Sequence, residues 1–329
     1  MTLTNNATNN GAPDFTRYYP NVALARLGCE VVAASDDFFA DKQRLIQPQA
    51  PVFIADKFDD HGKWMDGWET RRRRSGGNDW CVLRLGQEVE IAGVDIDTSH
   101  FTGNYPHAAA LEIGTGAKDA TVENIQWQPL LPQTALAGDT HHYLATAAQR
   151  GNYLRLSIYP DGGIARLRVY GRVISNITTE SECDLAALTN GGRVIDVSDS
   201  HFGAPDNMLM PGRGVNMGDG WETRRLRTPG NDWAVIALGH AGTIERIVVD
   251  TAHFRGNYPA AFSLNAAYVP TLHDSACVAA SMFWQPLFAK TELSANAEHE
   301  FDSGVLISEP VTHVRLNIYP DGGVSRLRL

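Results

Sequence analysis

The sequence has no long apolar run, no basic tract and few cysteines, and each gap removes a class of function. No stretch is apolar over the roughly 20 residues a membrane helix needs, so a membrane partner is not expected. Lys and Arg number 28 against 38 Asp and Glu, a formal charge of −10 with no lysine-rich tail. Nucleic acids call for a basic face and are set aside. A small anionic ligand would need a local arginine cluster to overcome the overall repulsion. The four cysteines, Cys29, Cys81, Cys183 and Cys277, form no CxxC pair. Reduced, mostly buried thiols are expected, with no disulfide frame or zinc knuckle. Met1–Asp14 is polar and lacks the cationic start and apolar stretch of a signal peptide, which points to the cytoplasm. There is no HxH or HExxH spacing, no G-x-S-x-G elbow and no P-loop. No cofactor is evident, and a divalent metal stays open without ligands to indicate it.

What the sequence does have is itself, twice. Asp66–Arg72 (DGWETRR) returns as Asp219–Arg225, and Gly77-Asn78-Asp79-Trp80 returns as Gly230-Asn231-Asp232-Trp233. Asp97–Pro106 (DTSHFTGNYP) returns as Asp250–Pro259 (DTAHFRGNYP). Trp127-Gln128-Pro129-Leu130 and Ile158–Gly163 (IYPDGG) return as Trp284–Leu287 and Ile318–Gly323, while upstream Ser35-Asp36 matches Ser198-Asp199. Units of this length are domains rather than solenoid repeats. The expected division is a flexible N-terminus over 1–20, a first repeat over 21–174 and a second over 183–329, with the boundary near Gly171 to Glu182.

Within each unit the apolar period is two. Leu154, Leu156 and Ile158 alternate with Arg155, Ser157 and Tyr159, and Leu167 and Val169 with Arg166 and Arg168. Short strands broken by Gly, Pro, Asn and Asp predict an all-β chain of two tandem jelly-roll β-sandwich domains. Asp184–Leu188 is expected as a short helix and Asp36–Ala40 as a helical turn.

The shared segments admit a plain and a functional reading. Six of the seven tryptophans fall in matched pairs, Trp68/Trp221, Trp80/Trp233 and Trp127/Trp284. Core anchoring explains them better than stacking platforms, and unmatched Trp64 is the candidate for a special role. The GNDW and YPDGG segments are turn chemistry. Arg166 and Arg326 lie just beyond those turns, expected on the polar face of the next strand. An extended DGWETRR segment puts Glu69 and Arg71 on one face, opposite Trp68, Thr70 and Arg72. A solvated edge strand guarded by charge explains this as well as a site does. In DTxHFxGNYP, His100, Asn104 and Tyr105 (His253, Asn257 and Tyr258 in the second copy) gather hydrogen-bonding groups suited to acid–base work at a strand end.

These blocks, in fixed order and seen twice from about Asn21 onward, resemble the allantoicase (allantoate amidinohydrolase) family. The resemblance implies a hydrolase of C–N bonds in linear amidines, releasing urea and ureidoglycolate from allantoate in purine breakdown. It implies a galactose-binding-like fold and a homo-oligomer. Under it, Glu69, His100, Glu222 and His253 become proton-transfer candidates. Arg71, Arg72, Asn104, Tyr105 and Arg166, with Arg224, Arg225, Asn257, Tyr258 and Arg326, become substrate-binding candidates. Either copy, both, or a site between them could be active. The rival class is a non-catalytic tandem β-sandwich that binds a carbohydrate or other small ligand.

Overall fold

The computed structural model describes residues 12–175, 177 and 182–329, which divide between Arg172 and Val173 into two compact units. In the first, an antiparallel sheet runs in the order Glu30–Ala34, Asp79–Asp97, His141–Tyr159, Ala108–Thr115 and Gln126–Ala135. Arg166–Val173 pairs with Asp79–Asp97 as a further strand. The two central strands are 19 residues long, and their register breaks between Arg84 and Val89 and again between Ile91 and Gly93. Such bulges bend a strand so that its two halves serve different sheets.

In the second unit the same path is cut. Arg193–Val197, Asp232–Gly242, Val311–Tyr319, Ala261–Ala267 and Gln285–Glu292 form a five-stranded sheet. Glu298–Phe301, Ile247–Asp250 and Arg326–Arg328 form a separate three-stranded one. Each unit is thus a jelly-roll sandwich, and strand alternation follows the sequence. Leu154, Leu156 and Ile158 are buried while Arg155, Ser157 and Tyr159 are half-buried.

Several expectations shift. Residues 1–11 of the N-terminal stretch lie outside the described residues. Phe15 beyond them packs its ring 5.6 Å from Tyr170, in the space that Gly93 leaves by having no side chain. Asp36–Ala40 is not helical, because the Asp36 carboxylate is taken by Arg71. The helical turn starts later, at Lys42–Ile46, capped by Asp41. Asp184 likewise spends its carboxylate on the N–H groups of Ala186 and Leu329, and the turn forms at Leu188–Asn190. Trp68, Trp221 and Trp284 are core residues. Trp80, Trp127 and Trp233 are half-buried, with Arg155 lying over Trp127 and Arg315 over Trp233. All four cysteines are free, three of them buried.

Candidate functional site

The short strand Trp68–Glu69 pairs with Gly163–Ile164, and Trp221–Glu222 pairs with Gly323–Val324. Burying Trp68, whose indole N–H donates to the Asp36 carbonyl at 2.8 Å, forces the next side chain, Glu69, toward the rim. There it meets the loop after Asp97. Phe101 is fully buried and presses on Gly163, where any Cβ would run into its ring. That anchor brings Asn104 within reach, and its amide donates to Glu69 Oε1 at 2.7 Å. The second unit repeats the arrangement: Phe254 is buried against Gly323, and Asn257 donates to Glu222 Oε1 at 2.5 Å.

Burial pushes the Glu69 carboxyl above its ordinary pKa. The Asn104 hydrogen bond opposes that push and the Asp59 charge adds to it. A carboxylate tuned upward and held by one amide is suited to taking a proton from water.

His100 and His253 adopt left-handed backbone, φ 70° and 72°, which is uncommon for a residue with a side chain. Each is held there twice. The backbone N–H donates to Asp139 Oδ1 or Asn296 Oδ1, both at 2.7 Å. The ring Nε2 lies 3.2 Å from the Pro51 carbonyl or 2.8 Å from that of Gly214. A carbonyl only accepts, so Nε2 carries the proton and Nδ1 is left as the acceptor. Holding a residue in such backbone costs of order 1–3 kcal/mol.

The arginines divide into two sets. Arg71 takes both Nε and Nη2 to Asp36 Oδ1, at 3.0 and 2.8 Å, yet stays exposed. Arg224 lies near Asp199 at 3.8 Å and His201 at 3.3 Å, also exposed. Arg72 and Arg225 are exposed, and among the described residues no salt bridge involves them. Arg166 and Arg326 correct the expectation of a polar face: each is 2% exposed. Arg166 donates to the Gln49, Asp66 and Ala165 carbonyls and to Asp66 Oδ2 at 2.8 Å. Arg326 does the same with Gly212, Asp219 and Ser325. These bonds tie each buried arginine to the neighbouring loop. Tyr105 is half-buried against Met65, Phe101 and Ala165, and Tyr258 is half-buried as well.

Sequence reasoning missed the carboxylates that shape the arginine segment. Asp36 and Asp161 accept the Arg71 and Arg73 N–H groups, and Asp199 and Asp321 those of Arg224 and Leu226. Being repeated was their available signal. It also missed Asp95, a buried carboxylate 2.8 Å from His141 Nδ1; Val248 at the matching place of the second copy hides it from a repeat search. Among the described residues no group of three or more His, Cys, Asp or Glu is placed to hold a metal ion. Among them, too, no helix is long and apolar enough to cross a membrane.

Two jelly-roll units, each presenting a Glu–Asn pair and, in the same loop as the Asn, a histidine in left-handed backbone, define a duplicated β-sandwich protein with the same polar cluster on each copy. The model of the allantoicase repeat matches residues 20–174 and again 183–329. A probable allantoicase 1 of Burkholderia mallei is 53% identical, covering 97% of this chain and 96% of its own. A probable allantoicase of Acinetobacter baylyi is 52% identical over 94% and 93%. The crystal structure of allantoicase from Saccharomyces cerevisiae is 36% identical, with a TM-score of 0.79 over 96% of this chain and 95% of that one. The chain belongs to the allantoicase family.

Proposed function

We propose that the Glu–Asn pair is the reacting centre of an allantoicase, which converts allantoate and water to ureidoglycolate and urea in purine breakdown. The supporting observation is that pair itself, built alike in both units, its Asn in the loop that also holds a histidine in left-handed backbone.

Allantoate carries a carboxylate and two ureido groups on one carbon. Water adds its oxygen to that carbon, one C–N bond breaks, and the departing nitrogen takes a proton to leave as urea. Glu69 or Glu222, as the anion, takes the proton from water. His100 or His253 relays that proton through Nδ1, accepting it from the protonated glutamate and giving it to the departing nitrogen, while Nε2–H stays on its backbone carbonyl. Asn104 or Asn257 keeps the carboxylate aimed and offers its amide oxygen to a ureido N–H. Tyr105 and Tyr258 back the same loop. Arg71 and Arg72, with Arg224 and Arg225, supply the positive field for the substrate carboxylate, the first of each pair already oriented by an aspartate. The enzyme works as a soluble cytoplasmic homo-oligomer.

Replacing His100 tests the proton-transfer role. Gln can keep a donor on the Pro51 carbonyl but cannot carry a proton. His100→Gln and His100→Ala are therefore both expected to lower kcat for urea release, by about 10²-fold or more where the first unit is active. Full activity in His100→Gln with loss in His100→Ala would make the ring a strut. A ligand-binding protein without catalysis would instead bind allantoate and release no urea.

A further inference from the structure

The two units share one clamp beside the site. In each, a single aspartate, Asp66 or Asp219, holds the buried arginine and also accepts a backbone N–H, from Val52 at 2.9 Å or Val215 at 3.0 Å. The preceding carbonyls, Pro51 and Gly214, take the histidine rings. The loop that this clamp closes holds 13 residues between Val52 and Asp66, but 3 between Val215 and Asp219. The short version closes with one helical turn, Met217–Asp219.

The long version builds a structure of its own. Phe58–Asp59 pairs with Gly62–Lys63 as a small antiparallel ladder. The Lys57 ammonium lies 3.6 Å over the Trp64 ring, and Lys63 lies 4.9 and 5.0 Å from the Phe53 and Phe58 rings. Lys63 also donates to the Ile54 and Ala55 carbonyls, so both lysines bind groups of the loop itself and fix its shape.

The loop runs along the whole site. The Phe53 ring is 5.8 Å from that of His100. His61 stacks at 4.4 Å on Phe38, and the Arg71 guanidinium lies 5.0 Å from that same ring. Asp59 is near enough to Glu69 for their charges to interact. One element therefore lies against the histidine, near the carboxylate and, through Phe38, behind the arginine. In the second unit the corresponding turn reaches the site with Met217, whose sulfur is 3.9 Å from the Asn257 amide. Position 38 is there His201, which contacts Arg224 directly.

A reaction that delivers one water to carbon and keeps others out gains from a wall over its substrate. We propose that loop 53–65 is the closing wall of the first unit's site, that Phe53 and His61 are its positioning residues, and that the first unit carries the hydrolysis. This rests on the reading of the chain as an allantoate hydrolase. The second unit, without the wall, contributes little turnover.

The test replaces residues 53–65 by Asn-Met-Gly, the sequence between the same clamp residues in the second unit. Urea release from allantoate is measured with thermal melting and size-exclusion profiles alongside. The expected result is a fall of about 100-fold or more in kcat/KM, with folding and assembly unchanged. Where the shortened chain fails to fold or changes its assembly, Phe53→Ala and His61→Ala decide. Each is expected to raise KM and lower kcat/KM by about 10-fold. A folded shortened chain, or both point variants, within about twofold of an active parent would overturn the proposal alone. A parent that releases no urea would overturn the allantoate reading and this proposal with it.

Discussion

Glu69 sits between opposing influences. Burial and the Asp59 charge favour its neutral form, while the Asn104 amide on Oε1 favours the anion, and the net result is a pKa above the ordinary glutamate value. If the anion takes the proton from water, activity falls as pH drops through that raised pKa. Asn104→Ala removes the donor that favours the anion, so the pKa rises further. The acid limb of the kcat/KM profile is expected to move to higher pH, and an unmoved limb would separate Glu69 from the proton transfer. Glu69→Gln is expected to lower kcat by about 10²–10⁴-fold, read from urea release at the pH optimum of the parent. The residues of the candidate site were the part most open in the sequence. Glu69, His100 and Asn104 stand in repeated blocks, and the fold brings Glu69 and Asn104 into contact across 35 residues. Their roles were not open, because a duplicated fold keeps core and site residues alike: Phe101, wholly structural, is repeated as faithfully as His100.

Elements position these residues through buried polar locks, and here alternation misleads. Period two puts Arg166 on the same face as half-buried Arg168, yet Arg166 is the first residue of its strand, where the 49–66 segment covers it. Its guanidinium joins the Gln49 and Asp66 carbonyls and the Asp66 carboxylate, and no one-dimensional pattern records such a long-range cover. Arg166→Ala leaves the half-buried Asp66 carboxylate without its ion partner. It is expected to cost about 3–5 kcal/mol in urea unfolding of the first unit. A loss below about 1 kcal/mol would place the guanidinium in a solvent-screened setting instead. The strands themselves were legible, since Leu154, Leu156 and Ile158 are buried as their spacing requires. The helical turns were not, because Asp36 and Asp184, read as helix starters, hold distant N–H groups. Loop 53–65 was also signalled. The copies are 163 residues apart at Ser35 and 153 apart at Asp66, and that change of shift marks ten extra residues in the first copy.

At the scale of the molecule, duplication supplies two sandwiches with the same clamp, the same anchored phenylalanine and the same Glu–Asn pair, differing chiefly in what covers the pair. The measurement that bears most directly on this account is urea and ureidoglycolate release from allantoate by the parent and by a Glu69→Gln/Glu222→Gln double variant. The account predicts one urea per allantoate consumed by the parent, and a double variant that melts like the parent but is slower by about 10²-fold or more. A parent that binds allantoate without turnover, or a double variant as fast as the parent, would contradict it.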